Sequence, residues 1–103
     1  MSARQLDWRI QAVESLRVIL EHIGEHNLDA AKELFGEICK RLKLVTDFPN
    51  LYRASERVEG LREIVVTANY VVPYRITPDA VQVVDIVHAR RNWPDPSASA
   101  LAS

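Results

Sequence analysis

The stretch GLREIVVTANYVVPYRI, residues 60–76, decides how the second half of this chain folds. It is rich in β-branched and aromatic residues on both sides of the turn-forming segment TAN, which is typical of two paired β-strands. Arg62 and Arg75 stand where strands usually carry neutral residues, and Pro73 interrupts the second run. Because proline has no backbone N–H, we expect a bulge or a locally unpaired edge at Pro73.

A third β-rich run, AVQVVDIVHA, follows the segment TPD, in which Pro78 fixes φ for the first central position of a turn. These three runs predict an antiparallel meander. Near the N-terminus the segment QLDWR alternates Leu6 with Trp8. We predict that it adds an outer strand to the same sheet.

Two helices are predicted between this first strand and the meander. Residues 11–24 carry apolar side chains at helical spacing, and Gly24 ends the segment. Asn27 is suited to cap a second helix, which runs from Leu28 to about Phe48 and stops before Pro49. The connection of about three residues makes the two helices antiparallel. The apolar positions are Val13, Leu16, Leu20 and Ile23 in the first helix, and Ala31, Leu34, Phe35, Ile38, Leu42 and Val45 in the second.

The predicted fold class is therefore α+β, in the order β-α-α-β-β-β, with a helical hairpin packed on one face of a mainly antiparallel sheet. At 103 residues and 48% apolar composition, the chain can bury a core without disulfides or metals. We expect one domain over residues 1–94. Residues 95–103 are small or proline and have no apolar periodicity, which predicts a disordered tail.

Composition excludes several classes of protein. With 13 Lys+Arg against 14 Asp+Glu the net charge is -1, which argues against charge-driven binding to nucleic acid or to anionic lipid. The single cysteine excludes an internal disulfide and a multi-cysteine zinc site. The sequence contains no apolar run that could span a membrane, and its first ten residues are charged where a signal peptide is apolar. We expect a cytoplasmic protein.

Individual reactive side chains predict little chemistry. Cys39 follows Phe35 by one helical turn, and we predict a buried, unreactive thiol. His22 and His26 have the spacing of two metal ligands on a helix, but Gly24 is expected to break the helix between them and a third ligand is missing. We predict no metal site and no cofactor.

Cationic and aromatic residues form the remaining candidate site. Grouped guanidinium donors suit phosphate or carboxylate recognition, and the predicted strand pairing would bring several cations to one edge of the sheet. The alternative interpretation is that each arginine pairs in solvent with a local acid such as Glu63 or Asp85. The candidate residues are Arg62, Tyr74, Arg75, His88, Arg90, Arg91 and Trp93.

Six short motifs follow one another in the order and spacing of the RelE/ParE superfamily of bacterial toxins. They are W-x-x-x-A-x-x-x-L from Trp8, N-x-x-A-A from Asn27, FP at Phe48, G-L-R-E from Gly60, Y-V-V-P-Y-R from Tyr70 and V-x-H-A-R-R-x-W-P from Val87. The resemblance covers about residues 6–94. It implies the β-α-α-β-β-β fold. It also implies a type II toxin, made together with an antitoxin that wraps around the toxin and keeps it inactive.

The resemblance also implies a choice between activities. RelE-like members cut mRNA in the ribosomal A site, whereas ParE-like members poison DNA gyrase. Arg62 matches one of the cationic residues of the mRNA-cutting members. At two other positions where those members have cations, this sequence has the apolar residues Ile64 and Val71. We therefore expect a ParE-like toxin that binds gyrase through the seven candidate residues given above. The first alternative is a metal-independent ribonuclease, and the second is an inactive homologue that serves as an antitoxin-binding and regulatory module. The residues expected to act in the ribonuclease are Arg62, Arg75, His88 and Arg91.

The expected partner is a ParD-like antitoxin, with DNA reached only through it and no membrane involved. The apolar stripes of the two helices are too wide to be covered by one small sheet face, so we predict a groove for an amphipathic antitoxin helix. The residues predicted to line it are Leu16, Leu20, Ile23, Leu34 and Ile38.

Overall fold

The computed structural model describes residues 4–90, so Arg91, Trp93 and the predicted tail, residues 95–103, lie outside the described residues. Over these residues the chain runs through a short strand, two helices and then four further strands. The elements are β1 (Gln5–Trp8), α1 (Ile10–Gly24), α2 (Leu28–Asp47), β2 (Arg62–Val65), β3 (Tyr70–Ile76), β4 (Ala80–Val83) and β5 (Val87–His88).

The strands form one five-stranded sheet in the order β1-β4-β3-β2, with β5 also paired to β3. The pair β1 and β4 is parallel, with Gln5 opposite Ala80. The other pairs are antiparallel. This confirms the predicted α+β fold, including the outer N-terminal strand and the mainly antiparallel sheet.

The last predicted strand is not continuous, which corrects the sequence-based prediction. β4 pairs with Tyr74–Ile76 of β3, β5 pairs with Tyr70 and Val71, and residues 84–86 leave the ladder between them. The carbonyl of Pro73 accepts a hydrogen bond from Val84 N at 2.9 Å, so this backbone edge of Pro73 faces the gap. The missing N–H therefore falls where the neighbouring strand is interrupted, and the predicted unpaired edge at Pro73 is confirmed.

The two helices lie close to their predicted bounds. α1 starts one residue earlier than predicted and ends at Gly24. The side-chain oxygen of Asn27 accepts from Ala30 N at 3.0 Å, which satisfies one free N–H of the first turn of α2 and confirms the cap. Within residues 4–90, neither helix is long and apolar enough to cross a bilayer.

The core lies between the helical hairpin and one face of the sheet. Alternate residues of β3 face the helices, among them Val72 and Tyr74, and they pack against the buried stripe of α2. That stripe consists of Ala31, Leu34, Ile38, Leu42 and Val45. The opposite sheet face has its own buried residues, Val71 and Pro73, so the middle of β3 is covered on both sides.

Cys39 is exposed, which overturns its prediction as a buried core residue. It follows the fully buried Ile38 in α2, and one residue turns a helix by about 100°. Phe35, one turn earlier, lies on the same flank and is 45% exposed. Cys39 thus lies beside the buried stripe and not within it.

Candidate functional site

Among the residues that the structure describes, the predicted cations do not form one group. Arg62 lies directly opposite Tyr74 in the β2–β3 pair and shares its helix-facing side of the sheet. Arg75 follows Tyr74 and therefore points to the opposite face, where it is exposed beside its partner Gln82. The two arginines are separated by the sheet itself.

Arg62 and Tyr74 hold the loop that follows α2. Nη1 of Arg62 donates to the carbonyl of Tyr52 at 2.6 Å, and the hydroxyl of Tyr74 donates to the carbonyl of Pro49 at 2.8 Å. Tyr74 has no exposed surface. Burial raises the pKa of its phenol, while the Arg62 cation acts in the opposite direction. The side chain of Tyr74 therefore belongs to the core, and not to the exposed surface on which a target contact was predicted.

His88 and Arg90 lie at the other end of β3. His88 is paired with Tyr70, which is four residues, or about 13 Å, from Tyr74 along the strand. The two rings meet edge to face with centroids 5.3 Å apart. Nδ1 of His88 accepts from the backbone N–H of the exposed Arg90 at 3.2 Å. His88 and Arg90 are thus the described candidate residues that lie together at this end of the sheet.

Within residues 4–90, the candidate arginines do not form the ion pairs with local acids such as Glu63 or Asp85 that the alternative interpretation suggested. The ion pairs within residues 4–90 join Arg17 to Glu14 and Glu21, and Arg41 to Glu37. The buried Glu63 accepts instead from the Ser55 hydroxyl at 2.7 Å. Asp85 accepts from its neighbour's backbone, Ile86 N, at 2.8 Å.

The two positions at which a ribonuclease would need cations are buried. Ile64 has no exposed surface and faces the helices. Val71 is 5% exposed and belongs to the opposite sheet face. A charged side chain at either position would lose its hydration without a partner, which is costly.

Most residues predicted to bind an antitoxin are in the core. Leu16, Leu34 and Ile38 are buried against the sheet and the other helix, so they cannot line a surface groove. Leu20 and Ile23 are half-buried and pack at the margin of the core. The central residues of the apolar helix faces are therefore buried, and the exposed apolar side chains lie along the edge of these faces.

That edge forms a cleft of about 560 Å³ along the seam between the two helices. Leu28 and Phe35 are its most exposed apolar side chains, at 60% and 45%. The helices lie close together there, since a Cβ on Gly24 would be in van der Waals contact with that of Ala31, at 3.8 Å. We call this feature the hairpin cleft; its lining residues are Leu20, Gly24, Leu28, Ala31 and Phe35, with Glu21, Glu25 and Lys32 at the rim.

A second cleft, of about 400 Å³, opens between α1 and the end of the sheet where β5 pairs with β3. We call it the strand-end cleft. Sequence reasoning did not find it, because its lining comes from segments that are distant in the chain and become neighbours only through the fold. Its main lining residues are Val18, Ile19, His22, Tyr70, Ile86 and His88.

His22 and His26 meet edge to face, with ring centroids 6.1 Å apart. In the part of the chain that the structure describes, His, Cys, Asp and Glu side chains do not form a group of three that could hold a metal ion.

Comparison with known proteins relates this chain to toxins of toxin–antitoxin systems. Residues 6–93 match the family model described as the ParE toxin of the type II toxin-antitoxin system, parDE. The Sinorhizobium fredii protein Y4kP, whose name classes it among toxins, is 30% identical over 95 residues, covering 91% of this chain and 97% of Y4kP. Toxin RelE2 of Caulobacter vibrioides is 29% identical over 87 residues, covering 84% of this chain and 97% of that protein.

A solved structure from the chromosomal ParDE TA system of P. aeruginosa has the same fold. It superposes with a TM-score of 0.71 over 84% of this chain and 96% of that one, at 21% sequence identity. Because the family match extends over nearly the whole described domain, the chain belongs to the ParE toxin family of type II toxin–antitoxin systems.

Proposed function

We propose that this ParE-family toxin inhibits DNA gyrase by protein–protein binding and that a ParD-type antitoxin neutralises it. The observation that supports binding over cleavage is the separation of Arg62, Arg75 and His88 between two faces and two ends of the sheet. Metal-independent cleavage of a phosphodiester needs phosphate-binding and proton-transferring groups within hydrogen-bond reach of one another. The described residues do not provide such a group.

The proposed target surface is the end of the sheet at β5. Arg90 is exposed there next to His88, and Arg91 and Trp93 follow in the sequence. Arginine and tryptophan are the residue types that most often dominate protein interfaces. Arg75, exposed on the sheet face away from the helices, and Arg62, half-buried on the other face, stay in the proposal only as secondary contacts.

A gyrase supercoiling assay with toxin freed from antitoxin tests this proposal. We expect wild type to inhibit and an Arg90→Ala/Arg91→Ala variant to need at least about tenfold more protein, which corresponds to an interface loss of roughly 1.4 kcal/mol. The control is Arg53→Ala/Arg57→Ala, which removes the same charge from exposed positions in the loop before β2. Equal inhibition by the test and control variants would remove the β5 end from the target surface.

The same assay separates the alternatives. If wild type leaves supercoiling intact but arrests growth, gyrase is not the target. If wild type affects neither supercoiling nor, when expressed without antitoxin, growth, the inactive-homologue alternative replaces the proposal.

We further propose that the antitoxin places the apolar face of an amphipathic helix in the hairpin cleft. A helix in an apolar groove is a common mode of peptide recognition, anchored by side chains one or two turns apart. The cleft has Glu21 and Glu25 on its α1 rim and Lys32 on its α2 rim. This arrangement favours an antitoxin helix with basic residues along one edge and an acidic residue along the other.

Replacement of Phe35 by glutamate tests this contact. Phe35→Glu introduces a charge in the cleft and is expected to weaken antitoxin binding by about tenfold to a hundredfold, since buried aromatic anchors cost roughly 1.4–3 kcal/mol when lost. Phe48→Glu is the matched control, because Phe48 is 60% exposed but lies outside the cleft lining. Calorimetric titration of each variant with antitoxin gives the comparison. Equal weakening by both variants would contradict a specific contact at the cleft.

A further inference from the structure

The strand-end cleft is an open apolar surface beside the point where the described chain ends. Val18, on its α1 side, is 54% exposed, while Ile86 at the base is only 2% exposed. Tyr70 and His88 provide aromatic and imidazole surfaces on the sheet side. Such a lining suits an aromatic side chain, which can stack edge to face against rings and pack against aliphatic groups.

The chain leaves the sheet at this cleft. Ala89 N donates to the carbonyl of Asn69 at 2.6 Å, and Arg90 N donates to Nδ1 of His88, so the backbone is held at the cleft's edge up to the last described residue. Trp93 is three residues beyond Arg90. Three residues span at most about 10 Å, which keeps the indole within reach of the cleft.

The composition of the following segment identifies the side chain suited to the cleft. Trp93 and Leu101 are the large apolar residues beyond Arg90, and Leu101 is eleven residues away. The family match ends at residue 93, so it includes Trp93 in the domain and excludes residues 94–103.

We propose that the strand-end cleft is the docking site for residues 91–94 of the same chain, with the indole of Trp93 between α1 and β3. Docking restricts the backbone at Arg90 and Arg91, because both lie between the strand and the anchored indole. In this position Trp93 acts on the proposed target surface as a positioning residue for these arginines, and its indole is not itself a target contact. The intramolecular contact itself does not depend on gyrase being the target.

Fluorescence of a single-tryptophan protein tests the contact. In a Trp8→Phe background Trp93 is the only tryptophan, and we expect an emission maximum typical of a shielded indole and weak quenching by acrylamide. Adding Val18→Glu should shift the emission to the red and raise the quenching constant severalfold. Val13→Glu is the control, since Val13 is 49% exposed on the same helix but outside the cleft lining.

Three results would overturn the proposal. The first is solvent-exposed emission from Trp93 in the single-tryptophan protein, and the second is an equal response to Val13→Glu and Val18→Glu. The third is emission that changes on a hundredfold dilution, which would assign the occupant to a second copy of the chain. Circular dichroism of each variant verifies the fold, and both substituted valines are exposed, so unfolding is not expected.

Discussion

At the scale of single residues, Tyr74 illustrates why neighbours in a strand have different roles. Tyr74 and Arg75 are adjacent in sequence, and both were predicted to contact the target. Successive side chains of a strand point to opposite faces, so one is in the core and the other is exposed. Sequence alone predicted the strand, but which face the helices would cover at this position depends on the packing of α1 and α2.

Tyr74→Phe is expected to affect stability and leave the surface unchanged. The substitution removes the hydrogen bond to the carbonyl of Pro49 and should lower the free energy of unfolding by about 1 kcal/mol. Urea unfolding should show a lower midpoint at an unchanged slope. Gyrase inhibition at a temperature where both proteins are folded should be equal, and a specific loss of inhibition in a stable variant would return Tyr74 to the target surface.

The raised pKa of Tyr74 also predicts a pH dependence. Burial favours the neutral phenol, so in the folded protein this group ionises above its ordinary pKa of 10.0. As the pH rises through 10, the unfolded chain loses this proton before the folded protein does, and stability falls. Wild type should therefore lose stability between pH 9 and about 11 more steeply than Tyr74→Phe, as measured by urea unfolding at each pH. Parallel curves would contradict this assignment.

Cys39 is a second residue whose environment depends on the flank of a helix. Partial burial raises the pKa of its thiol above the ordinary value of 9.0, although the residue is exposed. A disulfide reagent should label one thiol in the native toxin, with a rate that still increases above pH 9 as the thiolate forms. Bound antitoxin should slow the labelling, because Phe35 one turn away lines the hairpin cleft. Unchanged labelling in the complex would place the antitoxin elsewhere.

At the scale of elements, the helices were predictable and the last strand was not. Apolar periodicity and the Asn27 cap place helix ends through local interactions that the sequence displays directly. The interruption at residues 84–86 lies in the run VVDIV, whose apolar, β-branched residues predict a continuous strand. The interruption lies opposite Pro73 because of how this segment pairs with β3, and such pairing between two segments cannot be read from either segment alone.

The loop before β2 depends on one glycine. Ala54 pairs with Arg62, and the backbone returns between them through Gly60, whose φ is +87°. Gly60→Ala should cost about 1–2 kcal/mol, because a Cβ is strained in this conformation. Gly36→Ala is the control of opposite sign: it lies within α2 with nothing within 4 Å of the added Cβ, and should stabilise by about 0.5–1 kcal/mol. Urea unfolding of both variants measures the pair, and a neutral Gly60→Ala would show that the turn adapts without strain.

At the scale of the whole molecule, the proposed binding regions are spread around a small core. The hairpin cleft follows the seam between the helices, and the β5 end of the sheet carries Arg90. The β5 end is one continuous stretch of sequence and was predictable as a group, whereas the hairpin cleft combines two helices whose facing side chains are set by packing, so its lining was not. An antitoxin helix in the hairpin cleft contacts residues 20–35 directly, so masking of Arg90 would require a further antitoxin segment.

The arrangement of cations also predicts the outcome of a translation assay. Arg62 is tied to the carbonyl of Tyr52, Arg75 lies on the other sheet face, and Ile64 and Val71 are buried. Purified toxin added to translating ribosomes should therefore leave mRNA intact at concentrations where a cutting relative degrades it, as read by primer extension across the A-site codon. The control is the same preparation in the supercoiling assay, which establishes that the toxin is folded and active. Site-specific cleavage that disappears in an Arg62→Ala variant would contradict this prediction and favour the ribonuclease alternative over gyrase binding. The Arg62 side chain would then have to leave the carbonyl of Tyr52 and reach the reacting phosphate.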